Sequence, residues 1–386
     1  MSERKKLRIG MVGYKKMGKA HSQAYQTVNR FFRTNVDIEL KAICGRDLSA
    51  VKEMARNFGW ESVETDWQKL IAREDIDLID VCAPSNVHEE VVLEAVKSGK
   101  HVFCEKPLAL DLNGAVDMLQ AAQLAKVIHM VSFNYRFVPA IQLARRIINE
   151  GRIGTIRQFR GHFFQDWLVN PEATLTWRLK REEAGAGALG DLGAHVIDLA
   201  GYLVGEISSV IGSRETFVPE RTNANGVKEA VTVDDAFSAL VRFRNGAMGT
   251  LESSRYATGR KCQNALEIYG SEGAILFDFQ KMNELQFFSR RDDPHLQGFR
   301  TISATVPQQH PYADAWWGPG HVLGFESTFV HTVYELLTAF QEERLPEPNF
   351  ADGVKCQQVI EAIEASIHMG CWTKVEDRLI KRGSMP

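Results

Sequence analysis

The feature that most constrains this chain is the rhythm of its first ~130 residues, where short apolar runs alternate with helical stretches. Parallel strands cannot be joined by tight turns, so this alternation demands a parallel sheet with crossover helices on its faces. The pattern predicts strands at 7–12, 38–44, 78–83, 101–104 and 127–133. Helices are predicted at 19–29, 48–58, 87–98 and 113–125, the third stopping at Gly99. Beyond residue 133 the texture changes. Strand-like segments at 156–164, 236–243, 246–254, 264–269, 274–279 and 284–288 mostly lack helices between them, which predicts a mixed or antiparallel sheet. Helices are expected at 139–150, 191–203, 325–342 and 351–369. The expected fold class is α/β. It comprises an N-terminal Rossmann domain with a parallel sheet (1–134) and a C-terminal α/β domain with an open, mostly antiparallel sheet (135–386).

The first strand runs into Gly13-Tyr14-Lys15-Lys16-Met17-Gly18 and then a helix. A strand, a glycine turn and a helix start make an anion site, because the helix presents unpaired N–H groups and a partial positive charge. A dinucleotide fingerprint has G-x-G-x-x-G; here Lys15 replaces the middle glycine, where close backbone approach to phosphate is usual. Taken alone, the turn reads equally as a βα connection with solvated lysines. After the second strand, Cys44-Gly45-Arg46-Asp47 has glycine where NAD binders usually carry an acid. Arg46 is suited to a 2′-phosphate or to an adenine face, and Asp47 to capping the next helix. NAD and NADP both remain open on this reading.

Net charge is -3, so no basic field recruits nucleic acid or an anionic membrane. No apolar run approaches the ~20 residues that cross a bilayer. The six cysteines are scattered, with no Cys-x-x-Cys pair, which points to a reducing cytoplasm and neither a disulfide scaffold nor a metal site.

Two further segments carry a specific resemblance. One is Ala83-Pro84-Ser85-Asn86-Val87-His88 followed by Gly99-Lys100-His101-Val102-Phe103-Cys104-Glu105-Lys106-Pro107. The other is Gly185-Ala186-Gly187-Ala188-Leu189-Gly190-Asp191-Leu192-Gly193-Ala194-His195-Val196-Ile197-Asp198. With Asn134-Tyr135-Arg136-Phe137 at the junction, they resemble the signatures of the glucose–fructose oxidoreductase/inositol dehydrogenase/MocA family, in that family's order. The tail segment Trp317-Gly318-Pro319-Gly320-His321 is similar to a subgroup that includes levoglucosan dehydrogenase-like enzymes.

The resemblance implies an NAD(P)-dependent oxidoreductase moving hydride between nicotinamide and a CH–OH of a sugar or polyol held between the domains. It also implies a homodimer or homotetramer built through the second sheet. Cofactor contacts are expected from Gly13, Tyr14, Lys15, Met17, Gly18, Arg46, Pro84, Asn86, His88, Glu105 and Lys106. Lys106 is expected to hold the reacting hydroxyl and His195 to take its proton, with Asp191 orienting substrate or histidine; the two leading roles can be exchanged. Histidine titrates near neutrality and suits a proton acceptor. Asp191 and His195 are four apart, which places them on one face of a helix; alone they would read as a cap and a buried histidine. Substrate contacts are expected from Tyr135, Trp177, Arg178, Asp191, His195 and His321. Trp177 offers a face for sugar C–H groups and Arg178 a fork of donors. Arg136 is expected to pair with a carboxylate, and Lys106–Pro107 to be cis. Two rival readings keep the fold: redox-neutral glycoside elimination or hydrolysis on tightly held NAD, and a non-catalytic dinucleotide-sensing regulator.

Overall fold

A computed structural model describes residues 4–377. The chain forms two compact units: 1–134 with 325–354, and 135–324 with 355 onward. The segment Phe325–Val354 clusters with the first unit, although it follows the second in sequence.

The first unit runs β1 (Lys5–Val12), α1 (Lys16–Phe31), β2 (Val36–Cys44), α2 (Leu48–Phe58), β3 (Ser62–Glu64), α3 (Trp67–Ile71), β4 (Leu78–Val81), α4 (His88–Lys97), β5 (His101–Cys104), α5 (Leu112–Ala125) and β6 (His129–Val131). Its six strands lie in the order β3-β2-β1-β4-β5-β6, and every pairing is parallel. The order reverses beside β1, where open α/β sheets bind ligands. Leu7, Ile9, Met11, Ile79, Val81, Val102 and Phe103 are buried, as two-sided burial of a parallel sheet requires. Asp47, Asp66 and Asp111 cap α2, α3 and α5, each accepting from backbone N–H groups of the first turn.

The second unit begins with α6 (Pro139–Asn149), β7 (Ile156–Phe164) and α7 (Arg181–Ala184), followed by one π-type turn over Leu189–Gly193 and α8 (Ala194–Leu203). Then come β8 (Ile207–Glu215), β9 (Glu220–Thr222), β10 (Lys228–Ala230), β11 (Ala236–Phe243), β12 (Met248–Ser254), β13 (Gln263–Gly270), β14 (Gly273–Asp278), β15 (Glu284–Ser289) and β16 (Arg300–Ser303). The chain continues through α9 (Phe325–Glu342) and α10 (Phe350–Met369) to β17 (Thr373–Lys374). The large sheet has nine strands in the order β16-β15-β14-β13-β7-β12-β11-β8-β17. Only β12–β7 pairs in parallel; the other pairings are antiparallel. Along β11 and β12 buried and exposed residues alternate strictly. The buried face packs on α8: Gly161 lies under Val196, and a Cβ there would come within 2.7 Å of its Cγ1.

The nine-residue β8 and the short strands β3, β9, β10, β16 and β17 fall outside the sequence expectation. β8 reads Ile-Ser-Ser-Val-Ile-Gly-Ser-Arg-Glu, a serine- and glycine-rich run with weak strand propensity, fixed instead by pairing with β11. The segment from Arg290 to Gly320 contributes β16 at the sheet edge. α9 returns to α1: Phe32 stacks against Tyr334 at 4.4 Å, and Asn134 donates to the Thr328 hydroxyl. Among the described residues, no helix is long and apolar enough to cross a membrane.

Candidate active site

In the first unit β1 delivers the glycine turn to the start of α1. Gly13 adopts φ +109°, and a Cβ there would sit 2.5 Å from the Cys82 carbonyl carbon. A Cβ on Gly18 would lie 2.3 Å from the Gly13 oxygen. Both positions therefore demand glycine. Lys15 replaces the middle glycine without a positive φ: it is the N-cap at φ -76°, exposed, and supplies no side-chain cap. The first-turn N–H groups of α1 are thus left to a ligand, unlike those of α2, α3 and α5. A turn that only glycine can make, ahead of a 16-residue helix without a side-chain cap, fits a dinucleotide pyrophosphate.

At the ribose end, Gly45 packs under Tyr14: a Cβ would come within 2.2 Å of the Tyr14 ring. Asp47 is committed to capping α2, accepting from Ser49 N at 3.0 Å and Ala50 N at 3.1 Å. Arg46 is exposed. Asn86 is exposed, Pro84 is half-buried after β4, and Met17 is half-buried in the first turn of α1. Two residues expected to touch cofactor are instead enclosed. His88, 1% exposed, places its ring between the Ala83 carbonyl (3.0 Å) and the Pro107 carbonyl (3.0 Å), tying the two loops together. Burial holds that imidazole below its ordinary pKa, despite the surrounding carbonyls. Glu105, 4% exposed, turns into the core. Lys106 follows it, with a cis bond to Pro107.

Glu105 meets a group that spacing does not reveal. The His21 ring on α1 faces Asp80 with Nδ1 (3.0 Å) and Glu105 with Nε2 (3.1 Å), stacked on Phe103 at 4.7 Å. Tyr25 donates its hydroxyl to Asp80 at 2.8 Å. Single donor atoms of His21, Asp80 and Cys82 lie within 4.8 Å of one another. They are engaged with each other, the Cys82 thiol donating to Asp80 at 3.4 Å, so the set reads as a hydrogen-bonded ion cluster.

In the second unit the glycine run feeds the π-type turn that carries Asp191, and α8 carries His195. The sequence implied one regular helix from Asp191 to Leu203; the turn is widened instead, a distortion frequent at functional sites. Asp234 holds its start. One carboxylate oxygen accepts from Gly187 N and the other from Leu189 N, both at 2.8 Å. Gly187 is pressed onto the Asp234 backbone, where a Cβ would lie 1.8 Å from the carbonyl oxygen.

Asp191 accepts from the Arg255 guanidinium at 3.0 Å. Arg255 is fully buried, also reaches the Arg178 carbonyl at 3.3 Å, and lies 5.3 Å from the Trp167 ring centroid. It therefore gathers Asp191 and the Trp177–Arg178 pair; the Arg178 guanidinium stacks 4.5 Å over Trp177. His195 is 6% exposed and meets Tyr135 edge-on at 4.7 Å. Tyr135 also abuts Phe163 and Phe279. Burial pushes the Tyr135 phenol well above its ordinary value, with Cys262 and the Asp191 carboxylate adding to the shift. Arg136 forms the expected ion pair, both its Nε and a terminal nitrogen bonding Asp198 on α8 at 2.6–3.1 Å. His321 is exposed, its Nδ1 2.9 Å from the Gly318 oxygen in a local turn. Asp191, His195, Tyr135, Trp177 and Arg178 thus share a neighbourhood organised by Arg255, Asp234 and the Tyr135 ring cluster, whereas the His321 contact is local. Arg255 and Asp234 lie outside the motifs quoted from the sequence.

Residues 7–133 match the model for the oxidoreductase family with an NAD-binding Rossmann fold, and residues 141–276 match the GFO/IDH/MocA C-terminal domain. The chain belongs to the GFO/IDH/MocA family. It is 38% identical to levoglucosan dehydrogenase of Pseudarthrobacter phenanthrenivorans over 384 residues, covering 96% of this chain and 98% of the relative. An oxidoreductase domain protein from Kribbella flavida superimposes with a TM-score of 0.94 at 47% identity, covering 97% of this chain and 100% of its own. A levoglucosan dehydrogenase solved with NADH has the same TM-score, 0.94, at 38% identity, with coverage of 97% and 100%. This family member is an NAD(P)-dependent oxidoreductase with an NAD-binding Rossmann domain.

Proposed function

We propose that this oxidoreductase is a dehydrogenase of a neutral sugar or polyol, with an anhydro sugar of the levoglucosan type as its first candidate substrate. The carrying observation is the Asp191–His195–Tyr135 group, held by Arg255 and Asp234 in a chain 38% identical to levoglucosan dehydrogenase over nearly its whole length. The nicotinamide, when bound, accepts or returns a hydride. The chain supplies placement and proton handling. Lys106 presents its ammonium to the reacting hydroxyl and His195 takes the hydroxyl proton. Asp191, fixed by Arg255, orients the substrate. Tyr135 donates to a second hydroxyl, its raised phenol remaining a donor at any working pH. Trp177 and Arg178 add a ring face and a donor fork, a combination that suits an uncharged polyhydroxylated ligand. His321 closes the pocket.

A sensor would need a nucleotide turn but no proton acceptor, so the buried His195 beside the Arg255-held Asp191 favours catalysis. The open face of the large sheet, with Leu240 48% and Met248 56% exposed, is the surface assigned to a homodimer or homotetramer. The test mixes purified protein with NAD+ or NADP+ and levoglucosan, inositols, glucose and xylose, and follows absorbance of the reduced nicotinamide. A rise with a narrow substrate set, lost in Lys106→Ala and His195→Ala, is expected. Nucleotide released on denaturation without any rise would instead establish the redox-neutral reading.

A further inference from the structure

The buried ion cluster beneath the Glu105–Lys106–Pro107 turn has a definite protonation pattern, readable from its geometry. His21 and Asp80 are fully buried, and Glu105 is 4% exposed. Both ring nitrogens of His21 face carboxylate oxygens, Nδ1 toward Asp80 at 3.0 and 3.1 Å and Nε2 toward Glu105 at 3.1 Å. A neutral imidazole has one N–H and would turn a lone pair toward one of the two anions. A buried carboxylate facing a lone pair is strongly unfavourable, so the arrangement requires N–H on both nitrogens. His21 is therefore an imidazolium bridging two carboxylates. Its ring stacks at 13° on Phe103 and is flanked by Phe329, so the charge is shielded from water by aromatic faces.

The other partners fix the carboxylates in turn. Asp80 accepts from the Tyr25 hydroxyl at 2.8 Å and the Cys82 thiol at 3.4 Å. Glu105 uses one oxygen for His21 and the other for the Lys106 backbone N–H, at 3.1 Å. The Ser132 hydroxyl also bonds Glu105 and lies 3.5 Å from His21 Nε2. The chain of contacts Asp80–His21–Glu105–Lys106 thus links β4, α1 and the loop after β5.

We propose that His21 is a positioning residue for Lys106: its buried imidazolium clamps Glu105, whose second oxygen fixes the backbone from which the Lys106 ammonium reaches the substrate hydroxyl. The proposal rests on the role given to Lys106 above. Burial acts against a charged His21, but the facing Asp80 carboxylate outweighs it and holds the ring well above its ordinary pKa. Burial would also raise Glu105, yet its bond from His21, with the charges of His21 and Lys106, keeps it below its ordinary value.

The first test needs no turnover. Protein labelled with 15N in histidine is examined by long-range 1H–15N correlation at pH 8, with His21→Gln identifying the resonance. One ring with both nitrogens protonated is expected, absent from the variant; only singly protonated rings would overturn the proposal. The second test is a cycle of His21→Gln, Lys106→Ala and the double variant, with NADH titration confirming a folded nucleotide site in each. His21→Gln is expected to lower kcat about 30-fold with KM for the sugar within about 3-fold, and to lower it less than 3-fold further in the Lys106→Ala background. Equal loss in both backgrounds would show a role unconnected with Lys106 and overturn the proposal. Should His21→Gln fail to fold, Tyr25→Phe, which loosens Asp80 alone, must leave the doubly protonated ring in place. If no substrate turns over at all, the spectrum still decides the charge on His21, so failure of the dehydrogenase reading is recognisable separately.

Discussion

Asp234 is the sharpest place to test how the turn that carries Asp191 is held. Its carboxylate accepts from Gly187 N and Leu189 N, both at 2.8 Å, while its backbone carbonyl accepts from Ala188 N at 3.0 Å. Gly187 cannot shift toward it, since its α-carbon already rests on the Asp234 carbonyl. Asp234→Ala removes two charge-assisted bonds and leaves two N–H groups in the interior, at ~1–3 kcal/mol each. A net destabilisation of about 3 kcal/mol is expected, since water entering the gap recovers part of the loss. In a domain of ~150–250 residues that lowers Tm by about 6–12 °C. Asp191 N bonds the Gly187 oxygen at 2.9 Å inside the same turn, so releasing Gly187 also displaces Asp191. A displacement of ~1 Å in a catalytic group costs about 10²-fold in rate. Asp234→Asn keeps one acceptor and is expected to lose about half as much stability. The assay is thermal unfolding together with kcat for the best sugar. An Asp234→Ala protein melting within about 2 °C of the parent, with kcat within about 3-fold, would refute the clamp.

Arg255→Ala removes the guanidinium that fixes Asp191 and is expected to lower kcat/KM for the sugar by about 10²-fold, or ~2.7 kcal/mol, while NADH binding measured by fluorescence is unchanged. Gly18→Ala drives a Cβ into the Gly13 carbonyl and is expected to raise the dissociation constant for NADH at least ~10-fold; an unchanged value would mean the turn does not hold the pyrophosphate. Arg46→Ala is expected to weaken NADP+ binding about 10-fold and NAD+ less than 3-fold, because an exposed cation beside Gly45 has a partner only in the 2′-phosphate; equal effects in calorimetry would assign Arg46 to the adenine. Burial lowers His129 from an ordinary 6.5 to about 4, so the unfolded chain binds a proton the folded one refuses. Stability is therefore full above pH ~6.5 and lost as pH falls toward ~4, by about 3 kcal/mol. His129→Gln, which retains an acceptor for Phe350 N at 3.2 Å in the parent, should flatten that dependence in urea unfolding; an unaltered slope would count against it.

The division of labour between local and distant sequence shows in what the chain alone disclosed. α2, β5, β7, β11 and α9 match their predicted bounds, because each has its own periodicity, cap or flanking breaker. The nine-residue β8 and the short edge strands β16 and β17 were invisible, because they owe their state to a neighbour in the sheet. The return of Phe325–Val354 to the first unit was equally hidden. It depends on Phe32 meeting Tyr334 and on Asn134 meeting Thr328, contacts between residues some 200 or more positions apart, to which no window of sequence is sensitive.

The same asymmetry governs the site. The residues proposed to meet ligand sit in short motifs, because a turn or helix start must present them together, and so Gly13, Gly18, Lys106, Asp191 and His195 could be named from spacing and resemblance. Residues that hold those groups in place obey no spacing rule. Arg255 lies 64 positions from Asp191, Asp234 47 from Gly187, and His21 84 from Glu105. Each is itself buried, and the energy of such a pairing depends on burial and orientation, which only the fold creates. Replacing the middle glycine of the turn by Lys15 is tolerated for the converse reason. That position keeps a negative φ and points outward, whereas Gly13 and Gly18 face backbone at distances no side chain can enter. The motif therefore consists of the two glycines that sterics enforce, and the third position is free to carry a side chain.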